Sequence, residues 1–83
     1  MKKKKQVIPK WFEGVVYQEG TTVRNPFSGE KYKLNNIELS IYDFIIGSST
    51  IMEMGLETDV ESLRKGLDWF RMNNAEAYMV LLD

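Results

Sequence analysis

Residues 11–34, WFEGVVYQEGTTVRNPFSGEKYKL, are rich in Val, Thr, Tyr and Phe and are punctuated by Gly14, Gly20 and Gly29. β-Branched and aromatic residues suit a pleated, half-buried surface and glycines interrupt it, so the pattern predicts short strands near 11–18, 21–25 and 30–34. Side chains alternate across a strand. Val23, Tyr32 and Leu34 therefore share one face, with Thr22, Arg24, Lys31 and Lys33 on the other: a core side and a basic side. Between the second and third strands, NPFSGE supplies turn chemistry. Asn25 opens the turn, Pro26 presets φ at the next position, and Gly29 can take φ > 0 in a bulge. Pro26 has no N–H for a ladder, which ends the strand there.

From Asn35 the apolar period lengthens to that of a helix. Asn35 as N-cap with Glu38 three residues on is a capping-box arrangement. Ile37, Ile41, Phe44, Ile45 and Met52 recur at helical spacing, while Leu39, Tyr42 and Ile46 form a second stripe. A helix apolar on two sides is either sandwiched in the domain or paired with another copy. The small residues GSST, 47–50, permit close helix approach, although Gly47 costs about 1 kcal/mol of helix propensity relative to Ala. The helix is expected to run to about Met54, with Gly55 as its left-handed stop. A second helix is predicted from a Thr58/Glu61 capping box to Asn73 or Asn74, with Val60, Leu63, Leu67 and Phe70 as its buried stripe and Arg64–Asp68 as an exposed i,i+4 pair. In AEAYMVLLD, Asn74 caps a short final helix, while Tyr78, Val80 and Leu82 alternate as a strand would; the helix is favoured. Either way, so apolar a segment must dock into the core. The expected fold is α+β: a short antiparallel β-hairpin or three-strand meander, then two main α-helices and a short C-terminal element.

Eighty-three residues make one small domain, expected over residues 10–83 behind a disordered basic tail at 1–9. The chain has neither cysteine nor histidine, so disulfides, zinc centres of the usual kind, Cys–His pairs and Ser–His–Asp triads are all excluded. No apolar run approaches the roughly 20 residues a membrane span requires. The basic start MKKKKQVIPKW has no apolar segment after it, and a cytoplasmic location is expected. The net charge of −1 conceals a split. Residues 1–34 hold eight basic against three acidic groups, net +5, and residues 35–83 hold three basic against nine acidic groups, net −6. Such asymmetry marks a site for an anionic partner, or lets two halves or two copies attract each other.

The stretches NPFSGEKYKL, IYDFIIG and RKGLDWFRMNNAEAYMVLLD together resemble a group of small uncharacterised proteins encoded by tailed bacteriophages, marine and cyanophage types among them. The resemblance spans roughly residues 20–83 and is strongest at KGLDWFR and AYMVLLD. No activity or binding residue is assigned in that group. The resemblance implies a viral protein working in the host cytoplasm and carries no chemistry with it.

Carboxylates suited to general acid–base work include Asp43, Glu53 and Asp68. Asp43 lies between Tyr42 and Phe44 in an apolar helix, where burial would raise its pKa. One carboxylate without a second catalytic group specifies no reaction, and the simpler expectation for Asp43 is a solvent-facing position or a cationic partner from the hairpin. Neither EGTT nor IIGSST matches a phosphate-binding loop, and there is no dinucleotide fingerprint. The chain is expected to be no enzyme and to need no cofactor or metal. Two binding functions remain. Phe27 at a turn tip and Trp69 flanking the second helix's apolar stripe are candidate protein contacts, which makes a protein-interaction module, alone or self-associating, the leading expectation. The alternative is nucleic-acid binding through Arg24, Lys31 and Lys33 on the sheet's basic face with Lys3, Lys4 and Lys5 of the tail, the aromatics Trp11, Phe12, Tyr17, Phe27 and Tyr32 lying among them.

Overall fold

In a computed structural model, which describes residues 6–82, a two-stranded hairpin leads into three helices. Strands β1 (Thr21–Arg24) and β2 (Lys31–Leu34) pair antiparallel, with Val23 opposite Tyr32 and Arg24 opposite Lys31. The register puts Val23, Tyr32 and Leu34 on the inner face, as the alternation predicts, and leaves Thr22, Arg24, Lys31 and Lys33 outside. Helices α1 (Asn36–Glu53), α2 (Val60–Asn73) and α3 (Ala75–Leu81) follow. α1 packs on α2, α2 on α3, and α3 on β2, so the chain closes a ring around one core. That core holds Leu34, Ile41, Ile45, Phe70 and Ala77, with Phe12, Leu63 and Leu81 at its edge. The C-terminal apolar segment is a helix because Asn74 accepts a hydrogen bond from Ala77 N, and Ala77 and Leu81 enter the core.

The expected strand at 11–18 does not form, so the sheet is a hairpin and not a three-strand meander. Trp11 and Phe12, adjacent in sequence, both turn towards the helices. Phe12 packs edge-to-face on Phe44 with ring centroids 5.8 Å apart, and Trp11 lies 6.1 Å from the same ring. A strand would send neighbours to opposite faces. A Phe12 N to Pro9 O bond folds the segment instead, and Tyr17 N donates to Ser40 Oγ on α1, not to a ladder. Ahead of the boundary expected at residue 10, Gln6 hydrogen-bonds Glu38 and Asn35, and Ile8 packs against the core. Lys3, Lys4 and Lys5 lie outside the described residues.

Three helix details also differ. The N-cap of α2 is Asp59, not Thr58, and its carboxylate accepts from both the backbone N and the hydroxyl of Ser62. Asp68 pairs with Arg71 at 3.1 Å, one turn on, and not with Arg64. The glycine that brings helices together is Gly66, where an added Cβ would sit 3.0 Å from Ile45 Cγ1; Gly47 faces open space. The Asn35–Glu38 capping box and the left-handed stop at Gly55, φ +80°, are as expected.

Candidate interaction surface

The hairpin turn is built around Asn25. Its Oδ1 accepts from Phe27 N at 2.8 Å and Ser28 N at 3.3 Å, its backbone O accepts from Gly29 N at 2.8 Å, and its N donates to Glu30 O at 2.8 Å. Its side-chain amide donates to Val80 O on α3 at 3.0 Å, which anchors the turn to the body of the protein. Gly29 supplies the positive φ of +80° that closes the turn. The outcome is a rigid turn with Phe27 at its tip, 97% exposed and in contact with no core residue. Arg24 and Lys31 stand opposite each other just below it on the outer face, with Lys33 further along.

The other candidate aromatic residues are less exposed than Phe27. Trp69 is half-buried, packed on the core and edge-to-face with Phe70 at 5.3 Å. Trp11 and Phe12 are occupied in packing, and Tyr32 belongs to the inner face of the sheet. Tyr17 donates its hydroxyl to Asp43 Oδ2 at 2.7 Å, and that contact holds its phenol above the ordinary value of 10.0. Asp43 is exposed on α1, in the solvent-facing position expected for it, with the Tyr17 hydroxyl as its hydrogen-bond partner. Of the aromatics expected beside the basic face, Phe27 alone is fully exposed.

A second surface lies at the corner between α1 and α2. Met52, Met54, Leu56 and Val60 are exposed there, Met54 by 67% and Leu56 by 58%. Val60, expected in the buried stripe of α2, is 49% exposed at the first position of that helix, and burial begins at Leu63. Met52, Gly55, Leu56, Glu57, Thr58 and Val60 line a shallow groove of about 480 Å³. It meets, at Val60, a second groove of about 310 Å³ along α2, which reaches past Leu63 and Leu67 to Arg71. Residues 51–61 carry four acids, Glu53, Glu57, Asp59 and Glu61, and no base. The clustering of these exposed side chains was not legible in the sequence, because Met52 and Val60 each fit a helical core period.

The most buried charged group is Glu38, only 3% exposed. Its Oε1 accepts from Asn35 N at 2.9 Å, and its Oε2 accepts from Gln6 Nε2 and Asn74 Nδ2 at 2.8 Å each. Asn74 Oδ1 in turn accepts from Tyr32 OH at 3.3 Å. The cluster ties the start of α1 to β2, to the α2–α3 joint and to the incoming chain. Glu38 accepts three N–H donors of the fold, which is how a buried carboxylate is satisfied. Among the described residues no group of three acidic side chains is placed to hold a metal ion, and no helix is long and apolar enough to cross a membrane.

Comparison with protein-family models, with curated proteins and with solved structures finds no match to this chain.

Proposed function

We propose that this is a non-enzymatic protein-interaction module, a phage-type protein acting in the host cytoplasm, that binds through the α1–α2 corner. The observation that carries the reading is the run of exposed Met52, Met54, Leu56 and Val60 beside two shallow grooves that share Val60. Contiguous apolar surface rimmed by polar residues marks binding sites, and methionine adapts its shape to a partner at little cost. Glu53, Glu57, Asp59 and Glu61 on the loop side of the corner favour a partner with a basic flank there. Nucleic-acid binding is the second reading, favoured by Arg24, Lys31 and Lys33 sharing one exposed face. It lacks the stacking platform such binders use, having Phe27 alone among exposed rings.

Capture from host lysate with and without nuclease separates the two. With the corner as the site, Leu56→Arg loses the retained protein, the paired change Lys31→Glu with Lys33→Glu keeps it, and nuclease has no effect. Capture that disappears with nuclease and with the lysine changes, but survives Leu56→Arg, replaces this reading with the second.

A further inference from the structure

We propose that the α1–α2 corner receives the hairpin tip of a second copy of this chain, so that molecules associate head to tail. The proposal rests on the corner being a protein-binding surface and names its occupant. Knob and hole match in apolar character: Phe27 projects 97% exposed from a turn already fixed by Asn25, and Leu56, Met52 and Val60 line an open groove. The groove is shallow and open, about 480 Å³, and has room to seat one aromatic ring. Knob and hole also match in charge. Residues 21–34 hold Arg24, Lys31 and Lys33 against Glu30, net +2, whereas residues 51–65, which include the start of α2, hold Glu53, Glu57, Asp59 and Glu61 against Arg64 and Lys65, net −2.

The two surfaces do not serve each other within one molecule as it is folded, since Phe27 is 97% exposed. The hairpin enters the N-terminus of α1 and the corner leaves its C-terminus, and 18 helical residues separate those ends by about 27 Å. Knob and hole are different surfaces of one chain, so their contact is heterologous and extends into chains or closes into rings. Because Asn25 holds the turn to α3, little ordering entropy is lost when Phe27 is seated. One ring with a few flanking charges is a small interface, so the contact is weak, with a Kd on the order of 10 µM to 1 mM.

The test is sedimentation velocity on the full chain across that concentration range. Phe27 and Leu56 are both exposed, so Phe27→Ala and Leu56→Arg keep the fold, which circular dichroism checks. Wild type is expected to associate progressively, and more weakly as salt rises from about 20 mM to about 500 mM. Each variant raises the Kd by about tenfold or more. An equal mixture of the two variants forms a 1:1 dimer that grows no further, because one supplies the only intact knob and the other the only intact hole. A monomeric wild type overturns the proposal. So does association that Phe27→Ala leaves intact and Leu56→Arg abolishes, an outcome that keeps the corner as a binding surface but removes the hairpin from it. A chain that stays monomeric while Phe27→Ala weakens its binding to a labelled single-stranded oligonucleotide gives the hairpin to nucleic acid and also overturns it.

Discussion

Glu38 receives three N–H donors at 2.8–2.9 Å while almost fully buried, so its removal leaves each of them without a partner. A hydrogen bond to a charged group contributes about 1.5–3 kcal/mol, and a stranded buried donor adds its own desolvation cost. Glu38→Ala is expected to lower the unfolding free energy by about 2–4 kcal/mol, read from urea denaturation, and Glu38→Gln by clearly less, since the amide oxygen still accepts from Asn35 N. Equal losses from the two variants would show that the second carboxylate oxygen, which accepts from Gln6 and Asn74, sets the cost and that the bond to Asn35 N and side-chain packing add little. Half of this cluster was legible. Asn35 and Glu38 are three residues apart, and a capping box is a local pattern. Gln6 and Asn74 are 32 and 36 residues from Glu38, and no periodicity links them to it. The same limit applies to the hairpin: turn chemistry places Phe27 at the tip of NPFSGE, but the docking of Asn25 on Val80 is a long-range contact that no local pattern signals.

At the scale of elements, two glycines that look alike in sequence behave oppositely. Gly20 leads into β1 where the backbone of Leu34 and Asn35 passes, and an added Cβ would fall 1.9 Å from Leu34 O. No side-chain adjustment relieves a backbone clash, so Gly20→Ala is expected to cost at least about 2 kcal/mol. Gly47 lies inside α1 with nothing within 4 Å of its missing Cβ, and Gly47→Ala is expected to stabilise by about 0.5–1 kcal/mol through helix propensity alone. Thermal melts of the two variants should move in opposite directions from wild type; a stabilised Gly20→Ala would contradict the close approach. The helices were readable because each carries a cap and a 3.6-residue period over many turns. The segment 11–18 misled because its β-forming composition serves packing against Phe44 and tethering to Ser40, both set by tertiary partners. Composition describes what a residue tolerates, and the partners on α1 decide what it does.

For the molecule as a whole, the titration of its tyrosines predicts how stability responds to alkali. Burial is the main cause that raises Tyr32 and Tyr42 above 10.0, with nearby carboxylates adding to it, and the hydrogen bond to Asp43 raises Tyr17. Each folded phenol therefore keeps its proton to a higher pH than the unfolded chain does. Below about pH 10 both states are protonated and the full stability is present; above it the unfolded state loses protons first, and stability falls as pH rises through the folded values. Tm is expected to hold near pH 8 and to decline towards about pH 11, with part of the decline removed by Tyr32→Phe. Tyr32 is the informative site because it joins the hairpin to Asn74 and so to the Glu38 cluster. If its ionisation loosens that joint, amide exchange at pH values above about 10 should speed up first in β2 and at the start of α3, before α1. Uniform acceleration along the chain would instead mean that the hairpin and helices open as one unit, and that Asn25 on Val80 is a stronger tether than Tyr32 on Asn74.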